Sequence, residues 1–480
     1  MKRHPLLYIC VFFLLLSWVF GSRLLDIDEF SFVKEPYEML GGDYTAGYLK
    51  EGNTSDALKC AAKSYFFYWN YRPLFSPVIK EKHKTLFRKE EERFHYEKPP
   101  KTEEKRLDDY SQRLVVPEPD RFYQHGAGKP LLPAILSIPS LALVKALTSR
   151  GPDLLHYQFT TNYHPLFIIV RLPSIIAGLL CILLIYRIVK REFSEERAWI
   201  AAGLMACFPT SLMFFSNIHH DAILAPFALA ASYYLVKKRY LIAGVFFGLA
   251  LASKNTAVFV LAGAILYLAI EAIQVYRNGN RGELGVFLTR ATRGLVLFAI
   301  IGIVVLSPFA NPVSEIKEIL TPVTGRTFDT RGEDVSDFGL AGPVIRQEKG
   351  DKVRQERPVV STLKRVVGYN ASLIFLLIGL PLIIERLRSP MAKYSFCFLM
   401  FSFPYRLVFG SGLNYRFLMF VPFFVLLASM VLGRRALLVI LLLLVVIDLI
   451  FVVDPITATG SWYTLANDKS LIQTLMGGTR

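Results

Sequence analysis

Between Pro165 and Arg187 the chain reads PLFIIVRLPSIIAGLLCILLIYR, and Ile188-Val189-Lys190-Arg191 follows. This stretch decides the fold. It is apolar on all sides, lacking both the 3.6-residue stripe of a surface helix and the alternation of a half-buried strand. A helix of this length crosses about 30 Å of hydrocarbon. One end carries the basic cluster Arg187, Lys190 and Arg191, the usual mark of a cytoplasmic flank. The other carries Arg171, on the side that rule depletes and at a helix start, where a cation opposes the helix dipole.

Similar runs lie near 5–25, 131–148, 198–215, 222–236, 240–253, 256–276, 293–310, 367–384, 391–411, 415–432 and 436–453. The 480-residue chain is 53% hydrophobic with a mean hydropathy of +0.39. These runs make it an all-α polytopic membrane protein and exclude a membrane barrel, whose strands are short and alternate in polarity. The net charge of +16 would suggest nucleic acid in a soluble chain. Here the excess sits in short loops between spans, including Lys237-Lys238-Arg239 and Gly433-Arg434-Arg435, and no basic patch is interleaved with aromatics, so no nucleic-acid partner is expected. The five cysteines form no CxxC or metal-finger spacing.

Charge also sets the span count. With the basic N-terminus inside and 131–148 crossing fully, every basic loop would fall outside. With 131–148 only partly inserted, all fall inside. That run is short and holds Pro133 and Pro139, so about eleven spans are expected, within a range of 11–13. The expected organisation is a first span at 1–25, an extracytoplasmic first loop at 26–164 with juxtamembrane amphipathic helices and a polar insertion at 51–120, and spans over 165–310. A second external loop at 311–366, spans over 367–453 and an extracytoplasmic tail at 454–480 complete it. The first span is read as an uncleaved anchor.

On this topology an unusual set of polar residues shares the external face. Asp26, Asp28 and Glu29 follow directly on the first span. They suit either the charged N-terminus of the following helix, a general base, or cation ligands. Lys129 can snorkel or hold a phosphate. His219-His220-Asp221 form a very short external turn that could be a hydrated cap, the lining of a substrate cavity, or part of a divalent metal site. Lys254 stands between two apolar runs on the same side, and Arg416 heads another span there. Lys129, Arg171, Lys254 and Arg416 together, on a face that should be poor in cations, point to an anionic ligand such as a lipid phosphate or pyrophosphate.

These motifs, in this order, resemble the GT-C glycosyltransferases, in the branch of the protein O-mannosyltransferases and the lipid A aminoarabinose transferases. Asp28-Glu29 is similar to the branch's first-loop pair. His125-Gly126-Ala127-Gly128-Lys129-Pro130-Leu131-Leu132 is similar to its Lys-Pro-Pro-Leu segment, without the second proline. Arg171-Leu172-Pro173-Ser174-Ile175-Ile176-Ala177-Gly178 is similar to its Arg-Leu-Pro-Ser run. The turn ending at Asp221-Ala222, the segment Gly248-Leu249-Ala250-Leu251-Ala252-Ser253-Lys254, and Tyr415-Arg416-Phe417 with Pro422 continue the series.

The resemblance implies a GT-C-like bundle embedded in membrane lipid. It implies transfer, with inversion, of a sugar from a polyprenyl or dolichyl phosphate donor to a protein or lipid acceptor at the extracytoplasmic face. Asp28, with Glu29 and Asp26 beside it, would take the base role. Lys129, Arg171, His219, His220, Asp221, Lys254 and Arg416 would bind donor and substrate. No cofactor is needed, or a divalent cation is held by Asp28 and Asp221. The competing class is a polytopic transporter or flippase of a lipid-linked or anionic substrate. Such a protein would carry charges at span centres, whereas here they gather at one face, Asp448 and Arg406 being the exceptions.

Overall fold

The computed structural model describes residues 5–21, 36, 39–70, 85–90, 92–93, 131–148, 166–277, 281–313, 316, 389–409 and 418–457. Among them there is no strand. The helices are α1 (Pro5–Gly21), α2 (Gly42–Lys50), α3 (Thr54–Asn70), α4 (Leu132–Thr148), α5 (Leu166–Glu192), α6 (Glu195–Cys207) and α7 (Pro209–Phe215). They continue with α8 (His220–Val236), α9 (Tyr240–Ser253), α10 (Val258–Arg277), α11 (Arg281–Leu306), α12 (Pro390–Phe409), α13 (Val421–Val431) and α14 (Arg434–Thr457). The expected span at 367–384 lies outside the described residues.

Three stretches, Ile168–Glu192, Asn255–Arg277 and Gly282–Leu306, are long and apolar enough to cross a membrane, and Pro5–Trp18, Leu132–Val144, Tyr240–Ser253 and Leu418–Val431 are shorter apolar helices. On α11 the side chains of Val296, Ile300, Ile303 and Val304 stay exposed. Their spacing of three to four residues forms one apolar stripe, the surface a bilayer covers. The protein is an integral membrane protein built as an all-helical bundle.

Two local rules shape the bundle. The run expected as one span over 198–215 is two helices, because Pro209 forces Phe208 out of the helical region to φ −71°, ψ 122°. The short helix α7 then delivers the chain to the turn before α8. The second rule is close approach at glycine. A Cβ on Gly178 of α5 would lie 2.6 Å from Phe13 of α1 and 2.8 Å from Phe215 of α7, two rings that meet edge to face at 6.4 Å. Gly244 and Gly248 of α9 do the same for α11, where a Cβ would fall 2.8 Å from the Phe298 carbonyl oxygen and 2.6 Å from that of Gly302. This Gly-x-x-x-Gly seam brings two backbones together where apolar burial gives helices no drive to associate.

The ends of the bundle differ. At one end the basic loops meet: Lys237 pairs with Glu192 at 2.5 Å, Lys393 with Glu271 at 2.9 Å and Arg434 with Glu196 at 2.8 Å. At the other end α2 and α3 dock. The Trp69 indole donates to the Ser307 carbonyl at 2.6 Å, Tyr65 donates its hydroxyl to the Pro308 carbonyl, and Asn311 N–H donates to the Trp69 carbonyl at 3.2 Å. Thus part of the polar stretch 51–120 is a helix fixed to the bundle. Cys60, within the stretch expected as a polar insertion, is buried in α3 between Tyr44, Tyr48 and Phe87, and burial pushes its thiol pKa up.

Candidate functional site

The docked end carries the sequence-predicted polar residues that the structure describes. Pro173 sits inside α5, where its ring removes a backbone donor from the second turn. Arg171 on that turn is 1% exposed. Ser174, three residues on and so on the same helix face, accepts a hydrogen bond from the His219 N–H at 3.3 Å. That bond ties α5 to the turn ahead of α8.

His219 is the N-cap of α8, in extended backbone at φ −152°, ψ 144°. Its Nδ1 lies 3.2 Å from the Asp221 N–H and 3.1 Å from Asp221 Oδ2. One nitrogen cannot accept from the first and donate to the second at once. The Asp221 amide has no acceptor inside the helix, whereas Oδ2 already holds Lys254, so the capping bond is the one the geometry requires. His220 turns the other way, its Nδ1 3.2 Å from the Ser253 carbonyl at the end of α9.

Asp221 is the centre. Its side chain is fully buried, and Oδ2 pairs with the ammonium of Lys254, whose side chain is 16% exposed. Lys254 follows the last residue of α9 in extended backbone, φ −165°, ψ 139°, with a single 3₁₀ turn, Asn255–Ala257, beyond it. The pair therefore joins the start of α8 to the end of α9 across 33 residues of sequence. Oδ1 of Asp221 is buried and has no hydrogen-bond partner among the described residues, and neither does Ser216 Oγ in the same turn. A buried carboxylate with one unused oxygen is costly unless something else meets it.

Asp221, Lys254, His219 and His220 are thus brought together, with Arg171 on the adjoining α5. Asp26, Asp28, Glu29, Lys129 and Arg416 lie outside the described residues. Leu131, two residues after Lys129, donates its N–H to the Phe309 carbonyl at 3.2 Å, at the same end of the bundle. No group of three or more His, Cys, Asp and Glu side chains among the described residues is placed to hold a metal ion. Ser174 and Ser253 stand inside the quoted motifs, but sequence reasoning gave them no role, because both act through position.

Residues 166–282 match the family model described as dolichyl-phosphate-mannose-protein mannosyltransferase. Over that segment the chain resembles the protein mannosyltransferases. The stretch holds Arg171, Ser174, the 219–221 turn and Lys254, so the resemblance read from the motifs is borne out where the site lies. Among solved structures the chain is similar to apo ArnT from Cupriavidus metallidurans, at 15% identity and a TM-score of 0.43 over 72% of this chain and 57% of that one. It is also similar to the apo oligosaccharyltransferase from Archaeoglobus fulgidus, at 14% identity and a TM-score of 0.40 over 72% of this chain and 48% of the other. The chain spans less than two thirds of the length of either. No curated protein matches significantly.

Proposed function

We propose that the protein is a GT-C-type glycosyltransferase that moves a sugar from a polyprenyl or dolichyl phosphate carrier to a protein or lipid acceptor at the extracytoplasmic face. The observation that carries this is the buried Asp221–Lys254 pair with its unused carboxylate oxygen, inside the segment that matches the mannosyltransferase model.

The reaction is a single displacement. Asp28, positioned by Glu29 with Asp26 nearby, takes the proton of an acceptor hydroxyl. The freed oxygen attacks the anomeric carbon, the bond from that carbon to the phosphate oxygen breaks, and the lipid phosphate leaves with the electron pair. Cations must meet the charge growing on that phosphate, and fixed positive charge often supplies the larger part of such catalysis. Arg171, Lys254, Lys129 and Arg416 fill that role. Lys254, an ammonium with three N–H donors, is held in place by Asp221. Oδ1 of Asp221 is left to accept from a sugar hydroxyl.

A divalent ion fits these residues in part, since Oδ1 of Asp221 is a hard donor suited to magnesium or manganese. Asp28 would be its other ligand, and the ion would then neutralise the departing phosphate. We read transfer as proceeding without one.

The test uses purified full-length protein with dolichyl- or polyprenyl-phosphate mannose labelled in the sugar. Release of lipid phosphate matched by label on an acceptor supports the reading. Label carried across a proteoliposome bilayer with the donor intact would establish a transporter instead.

A further inference from the structure

The bundle also contains a cavity at its basic-loop end that transfer does not use. It has a volume of about 530 Å³ and lies between the C-terminal end of α8, the start of α9, the end of α10 and the start of α11. Asp221 and Leu235 stand at opposite ends of α8, about 21 Å apart at 1.5 Å per residue, so this cavity and the candidate transfer site are separate.

The walls and the rim differ in character. Leu235, Tyr240, Tyr267, Leu268, Phe287 and Ala291 give an apolar interior. Lys238 and Arg290 stand at the rim, and neither forms an ion pair with a carboxylate among the described residues. Of the two carboxylates lining the cavity, Glu271 already holds Lys393 at 2.9 Å, and Glu283 is exposed at the start of α11. The two lining cations, Lys238 and Arg290, thus share the cavity mouth with one carboxylate, Glu271, that another lysine already holds.

Lys238 adds an independent point. It stands at φ +57°, just past α8, where its N–H donates to the Leu235 carbonyl at 2.8 Å and that of Arg239 to the Tyr234 carbonyl at 2.9 Å. This is the helix-ending turn in which glycine is usual, and a lysine there is conformationally disfavoured. The backbone alone would favour glycine at this position, so the lysine side chain sits here at a local conformational cost.

We propose that this cavity holds an anionic phospholipid, its phosphate between Lys238 and Arg290 and part of an acyl chain against the apolar wall. Basic pockets between membrane helices suit such headgroups, each cation contributing about 1 kcal/mol. The proposal is independent of the transfer reaction.

The experiment is native mass spectrometry of delipidated full-length protein titrated with phosphatidylglycerol, phosphatidylcholine or glycerol phosphate. The wild-type protein binds phosphatidylglycerol in preference to the other two. Lys238→Gly with Arg290→Ala weakens that binding roughly thirtyfold. Lys238→Gly alone keeps or raises the melting temperature, because glycine relieves the positive φ. Ala291→Phe, which fills the cavity and keeps both cations, must also displace the lipid and serves if the double variant folds poorly. Equal binding by the variants, or equal binding of phosphatidylcholine, would overturn the proposal. Glycerol phosphate binding as tightly as the lipid would also overturn it, by showing a simple anion site.

Discussion

Glu192, with its side chain 10% exposed, and Asp221, fully buried, are acidic residues of a membrane protein that each pair with a lysine, yet they are satisfied to different degrees. Glu192 uses both oxygens, Oε1 on Lys237 at 2.5 Å and Oε2 on the Ser389 hydroxyl at 3.2 Å. It thereby ties α5, the turn after α8 and the approach to α12 into one closed arrangement. Asp221 uses Oδ2 on Lys254 and leaves Oδ1 without a partner among the described residues. A closed pair needs nothing further and reads as scaffold. A pair with an open oxygen, in a fully buried carboxylate, reads as a site that a ligand completes. The same chemistry therefore serves assembly at the basic end and, under the proposed function, recognition at the docked end.

The largest effect is expected where that recognition becomes chemistry. Asp28→Asn keeps shape and removes basicity, and should lower turnover by roughly 10²–10⁴ with the melting temperature unchanged. Near wild-type turnover in the purified variant would move the base role to Asp26. Next comes Asp221→Asn, which removes the fully buried carboxylate charge opposite the Lys254 ammonium and should cost about 3 kcal/mol of stability, read as a fall in thermal midpoint in detergent. Glu192→Gln, in a pair whose lysine is 29% exposed, should cost about 1 kcal/mol and leave transfer intact. A larger loss for Glu192→Gln than for Asp221→Asn would reverse the comparison.

Arg171→Ala should weaken the donor interaction by about 1–3 kcal/mol, the loss of a hydrogen bond to a charged group. It should appear as a raised KM for the lipid donor or a lower kcat, and an unchanged kcat/KM would remove Arg171 from the phosphate site. The smallest effect is expected from metal removal. Dialysis against a strong chelator should leave transfer unchanged, whereas full loss restored by one divalent ion would make Asp28 and Asp221 its ligands.

Much of this was legible in the sequence because membrane physics leaves few options. The run 165–187 had to be a helix, and the basic loops had to share one end, as the Glu192–Lys237, Glu271–Lys393 and Glu196–Arg434 pairs place them. Arg171, the 219–221 turn and Lys254 were visible because charges are rare in apolar stretches. The pairing of Asp221 with Lys254 was not, since it depends on how α8 and α9 cross. The break at Phe208 was signalled by Pro209, within a run whose hydropathy alone looked continuous. The docking of α3 rests on two aromatic side chains reaching the carbonyls of Ser307 and Pro308, contacts without any periodic signature.

The most direct test of the account removes each pair whole, so that no charge is left stranded. Asp221→Asn with Lys254→Met, and Glu192→Gln with Lys237→Met, are compared for thermal midpoint and for transfer from a lipid-phosphate sugar. Both double variants should fold. The first should lose transfer by about a hundredfold or more and the second should stay within about threefold of wild type. Equal transfer by the two folded variants would contradict the assignment of the Asp221 end as the site.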